Sequence, residues 1–130
     1  MARARAALDK ARSQLHRVQT ASFEPQDPEE AVLFAFYAYE NAVVALAEAK
    51  GIPWTKNHFD KARLASKLAR EGIVTTDVGD QLRFLNEARK DVSYGEPGPD
   101  LSSIDLEDLS AGLEAFLDEV DRVVGDAEAG

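Results

Sequence analysis

Cysteine is absent from this chain of 130 residues, so it can form no disulfide and no thiolate metal site. His16 and His58 are the whole supply of imidazole, too few for a multi-histidine metal centre within one chain, and neither a metal nor a cofactor is expected. No apolar run reaches the roughly 18 residues that cross a bilayer, and the early alternation of Arg and Ala leads into no apolar signal segment. A cytoplasmic location is the expectation. Nothing reads as a strand, and the chain has no Gly-rich phosphate loop, no internal repeat and no long heptad run.

Against these absences stand 45% hydrophobic and 30% charged residues, the composition of a folded chain. A length of 130 residues is enough to bury roughly two thirds of the unfolded surface. One helical-bundle domain over 1–130 is expected, with a core at about 28–124. The net charge of −9 is unevenly spread. Arg3, Arg5, Lys10, Arg12 and Arg17 against Asp9 make residues 1–20 +4, while the segment after Gly95 sums to −10. Such a dipole can draw a basic partner to one end, pair two copies head against tail, or simply be a solvated acidic face. Tight non-specific binding of duplex nucleic acid is disfavoured, since it needs many phosphate contacts from a basic surface.

Helical periodicity runs through the chain. Ala4, Leu8, Ala11, Leu15 and Val18 lay a narrow apolar stripe along a basic helix at about 2–20, either packed on the bundle or serving as a contact arm. Asp27-Pro28-Glu29-Glu30 then supplies an N-cap, a proline suited to the first turn and two acids favoured by the helix dipole. From Ala31 to Ala49 nearly every position is apolar or small, as in the central helix of a bundle; Glu40 and Asn41 are the exceptions, and Gly51 and Pro53 stop the helix. A third helix is expected from His58 to Glu71, with Phe59 among its inward residues, Lys61, Arg63, Lys67 and Arg70 outside, and Gly72 as C-cap. Thr75 or Thr76 should cap a fourth, whose Val78, Leu82, Leu85, Ala88 and Val92 keep helical spacing to Tyr94. After the helix-incompatible Gly95–Asp100 loop, Ser103 or Asp105 opens a fifth, with a tail expected at 125–130. The whole reads as all-α, an up-and-down bundle of about five helices.

Helix two reads Tyr37-Ala38-Tyr39-Glu40-Asn41-Ala42-Val43-Val44-Ala45-Leu46-Ala47-Glu48-Ala49-Lys50-Gly51-Ile52, followed by Phe84-Leu85, Arg89 and Tyr94-Gly95. Over about residues 28–124 this resembles the HEPN superfamily, helical bundles with an aromatic-rich second helix ending "AKGI", a His-containing third helix, and a fourth carrying arginine, four to six residues and histidine. The resemblance implies one of two things. One is a metal-independent ribonuclease formed at a homodimer interface; the other is a non-cleaving companion of a nucleotidyltransferase-type partner in a toxin-antitoxin or defence operon, associated with RNA or nucleotide. A plain scaffold whose acidic fifth helix binds a basic partner is a further alternative.

By that resemblance Arg89 matches the motif arginine and Tyr94 takes the histidine position, which makes these two the candidate catalytic pair; Glu40, Arg89 and Tyr94 are the candidate binding residues. The exchange of histidine for tyrosine weakens the enzyme reading. Cleavage through a 2′-hydroxyl needs a proton acceptor near neutral pH, which an ordinary imidazole at about 6.5 provides and an ordinary phenol at about 10 does not. A guanidinium can still hold a phosphate bidentately. Glu40 needs a partner if buried, and a salt bridge to Arg89 would satisfy both. His58 reads as a capping or surface histidine.

Overall fold

The computed structural model describes residues 2–94 and 101–130, with the side chains of all of these except 91–94. Five α-helices form one bundle: α1 Ala2–Ala21, α2 Pro28–Lys50, α3 His58–Arg70, α4 Gly79–Tyr94 and α5 Leu106–Ala129, with a short 3-10 turn at Leu101–Ser103 before the last. The Gly95–Asp100 loop and the side chains of Val92 and Tyr94 lie outside the described residues.

Helix α2 is the axis, and it packs against each of the other four helices. Its start follows the sequence signals: the Asp27 carboxylate accepts from Glu30 N, and Pro28 occupies the first turn. Its end is the left-handed Gly51, whose φ of 65° costs a glycine little. Around α2 lie Leu8, Leu15 and Val18 of α1, Leu68 of α3, Leu82 and Leu85 of α4, and Leu113, Phe116 and Leu117 of α5, all buried. Every position of the α1 stripe is buried, so α1 is an integral layer rather than an arm. By length and composition α2 is the one described helix able to cross a membrane, but 72% of its apolar window is buried inside the bundle.

The charge dipole of the sequence closes on itself. Arg5 pairs with Asp121 at 2.8 Å and with Glu128, Arg12 with Asp118 at 2.9 Å, and Arg17 with Glu30. The basic helix therefore spends three of its arginines on acids of its own chain, two of them on α5.

Several boundaries and faces differ from the sequence reading. Helix α4 begins at Gly79, because Thr75 is tied by its backbone N–H and its hydroxyl to Glu119 of α5 and does not cap it. Asp77 organises that start instead, accepting from Gly79 N at 2.8 Å and Ser66 Oγ at 2.9 Å, bonds that hold its carboxyl below the usual range. Phe59, expected inward, is 56% exposed. Lys61, expected outside, is turned in, its side chain only 13% exposed. Helix α5 runs on to Ala129, and the expected tail from 125 is helical. Val124 is fully buried, which carries the apolar face of α5 into its last turns.

Candidate functional site

Glu40 lies midway along α2, 5% exposed and surrounded by the apolar core. A carboxylate there needs compensation, and it receives it from α3 rather than from Arg89. His58 Nδ1 lies 2.6 Å from Glu40 Oε2, and Lys61 Nζ 3.5 Å from Oε1. The expected Glu40–Arg89 salt bridge is not among the ion pairs Glu40 makes. Spacing explains the substitution: His58 and Lys61 are three apart at the start of α3, so both sit on one face of the helix.

The α3 start is held firmly. The Asn57 side chain accepts from Asp60 N at 3.0 Å, and the Thr55 hydroxyl donates to Asp60 Oδ2 at 2.9 Å. These local bonds fix the first turn and hence where His58 points. Trp54, just ahead, donates from Nε1 to Glu48 at 3.0 Å and offers its ring to the Lys61 ammonium at 5.7 Å.

Arg89 comes from α4 and is buried to 5%. Its Nε donates to the buried Asn86 Oδ1 at 3.0 Å, one turn back, and its guanidinium lies over the Phe36 ring at 4.7 Å. The same ring meets His58 edge-on, with centroids 5.2 Å apart. Phe36 thus touches both the arginine of α4 and the imidazole of α3. Three of the site's polar groups, Glu40, His58 and Lys61, are bonded together, and Arg89 joins them through the ring. Tyr94 ends α4, five residues beyond Arg89, with its side chain outside the description.

Of the residues singled out in the sequence, Arg89 packs on Phe36 while Glu40 is bonded to His58, which meets the same ring, and the two are not partners. His58, read in the sequence as a cap or surface residue, is the partner of Glu40 that the sequence reading did not foresee. The signal was available: Glu40 in an apolar helix demands a cation or donor, and the His58/Lys61 pair offers both at one helical turn.

The sequence profile of the HEPN domain matches residues 3–123, nearly the whole chain, and the protein belongs to this family. The match begins inside α1. No curated protein matches the chain significantly. Membership implies a nucleotide- or RNA-associated module, and HEPN domains often dimerise.

Proposed function

We propose that this chain is a cytosolic HEPN module that binds RNA or nucleotide as a homodimer, beside a nucleotidyltransferase-type partner protein in a toxin-antitoxin or defence setting. The observation that carries the binding reading is Arg89: a buried guanidinium fixed by Asn86 and flattened on Phe36 is pre-oriented, so little side-chain freedom is lost when it meets a phosphate. The operon setting and the partner rest on the family resemblance. Dimerisation is supported by the family's habit and by Phe59 and Phe84, 56% and 40% exposed on α3 and α4.

Against the scaffold reading stands that Arg5 and Arg12 already pair with Asp118, Asp121 and Glu128, part of the acidic face of α5 that was to attract a basic partner. The ribonuclease reading gains support from the Glu40–His58 pair.

Fluorescence anisotropy with a labelled single-stranded RNA pool and with nucleotides tests the binding reading. Arg89→Lys keeps the charge and removes the planar fork, and should weaken binding by about tenfold or more, the worth of one charge-assisted hydrogen bond. Unchanged affinity would remove Arg89 from the site. Light scattering reads the dimer directly.

A further inference from the structure

We propose that the cleft between the end of α1 and the start of α5 is a binding site for a linear aliphatic polyamine. It is separate from the Arg89 element: its walls come from α1, the link that follows it and α5, and none from α2, α3 or α4.

The cleft has a volume of about 480 Å³, within the range of small-molecule sites. On the α5 side it is lined by Glu107, Ser110, Ala111 and Glu114, whose spacing puts them on one face of the helix. His16 and Phe23 complete it from α1 and the link. Phe23 is 70% exposed, more open than any other large apolar side chain among the described residues. Its backbone is nonetheless held. Ser22 N–H donates to the Val18 carbonyl at 3.1 Å, Ser22 Oγ to the Gln19 carbonyl at 2.7 Å and Phe23 N–H to the Thr20 carbonyl at 3.3 Å. These bonds wind the chain on past α1 and keep the ring on the cleft.

Two observations point to a ligand. Ser110 is only 8% exposed, and its hydroxyl makes no hydrogen bond among the described residues. No fully buried side-chain polar atom among those residues lacks a partner, so the Ser110 hydroxyl opens into the cleft it lines. The second observation is how the acids of α5 divide. Asp118, Asp121 and Glu128 are neutralised by Arg5 and Arg12. Glu107 and Glu114 have no ion pair among the described residues; Glu114 accepts one hydrogen bond, from Gln19 Nε2 at 3.3 Å.

The chemistry of the walls selects the occupant. Two unneutralised carboxylates repel an anion. They also stand too far apart to share one metal ion, since two helical turns separate their backbones by about 10.5 Å. No cluster of three metal-ligating side chains occurs among the described residues. A single ammonium would satisfy one carboxylate and leave the other. A linear polyamine has the matching form: one terminal ammonium pairs with Glu107, the other with Glu114, and an N–H between them donates to Ser110. Its methylenes lie along Ala111, and the Phe23 ring sits beside a charged nitrogen. The net charge of −9 draws such a cation in from a distance.

Isothermal titration calorimetry of the full chain with spermidine, at about 0.15 M salt to screen diffuse attraction, tests the proposal. Spermidine should bind at about one site per chain. Putrescine is too short to reach both carboxylates, and N-acetyl-trilysine amide carries the same charge as spermidine on a peptide; each should bind about tenfold more weakly. Glu107→Gln and Glu114→Gln should each weaken spermidine by about tenfold, the worth of one charge-assisted hydrogen bond. Ala111→Phe fills the cleft without changing the charge and should abolish binding. Asp126→Asn removes an acid of α5 outside the cleft and should leave the Kd unchanged. All four positions are exposed, so circular dichroism should match the parent. Absence of binding by the parent, binding that survives Ala111→Phe, or equal weakening by Asp126→Asn and Glu107→Gln overturns the proposal and leaves a diffuse acidic surface. Tighter binding of the trilysine peptide overturns it in favour of a basic protein segment. RNA binding through Arg89 is read separately by anisotropy, and none of these outcomes touches it.

Discussion

Arg5, in the second turn of α1, donates through Nε and Nη2 to the two carboxylate oxygens of Glu128 near the far end of α5, at 3.1 and 2.5 Å. The pair is exposed, and what it contributes is registration of the first helix on the last. The hydrogen bond from Arg5 holds the Glu128 carboxyl below its ordinary range. A carboxyl depressed in the folded state stabilises above its unfolded pKa, and that contribution is lost as pH falls through the folded value. Acid melts should therefore show parent and Glu128→Gln converging below the ordinary carboxylate range. At neutral pH the parent should melt higher in low salt, and the difference should vanish near about 1 M salt.

Tyr39 gives the opposite limb. Burial of its phenol in the core, where the ring packs against Phe116 at 5.7 Å, pushes it up to about 12. An acid whose folded pKa is raised stabilises fully below its unfolded value of about 10 and loses that contribution as pH climbs toward 12, an effect on the order of 3 kcal/mol. Alkaline unfolding should begin in that interval. Tyr39→Phe should delay it, as followed by circular dichroism.

Two glycines should respond to alanine with opposite signs. A Cβ on Gly79 would come 2.2 Å from Ser66 Oγ and 2.9 Å from the Ala62 carbonyl, where α4 starts against α3. Gly79→Ala should cost about 1–3 kcal/mol in denaturant unfolding. Gly125, inside α5 with nothing within 4 Å of its would-be Cβ, should gain about 0.5–1 kcal/mol on the same change.

Phe36 serves the core and the site together. It is 1% exposed, so Phe36→Ala should lose about 3–5 kcal/mol, a large share of the stability of so small a domain. Phe36→Leu, nearer in volume, should remain folded while loosening the surface on which Arg89 and His58 rest. RNA affinity should then fall further than Tm predicts. Comparing the two readouts separates the structural contribution of the ring from its part in the site.

The bundle was largely legible in the sequence because its signals are local. Asp27-Pro28, Gly51, Gly72 and Asp105 sit at or next to helix ends, and the stripe of α1 is buried at each position expected. Where the reading failed, a long-range contact overrode a local cue. Thr75 carries the right hydroxyl for a cap, yet Glu119 claims it from 44 positions away. Lys61 belongs by pattern to the solvent face of α3, yet the buried Glu40 draws it in. The contacts of the candidate site were legible only in part for the same reason. Arg89 and Glu40 stand out from their own helices, whereas the bond from Glu40 to His58 depends on how α3 lies across α2.

Because Arg5 and Arg12 of α1 are spent on acids of α5, the basic helix contributes little positive field of its own, and at a distance the molecule acts as a polyanion of charge −9. RNA must approach it uphill. Encounter should thus quicken as salt rises from a few millimolar toward about 0.1 M, where the screening length shrinks to about 10 Å, the reverse of the trend for basic RNA-binding surfaces. Stopped-flow association rates across that range would show it.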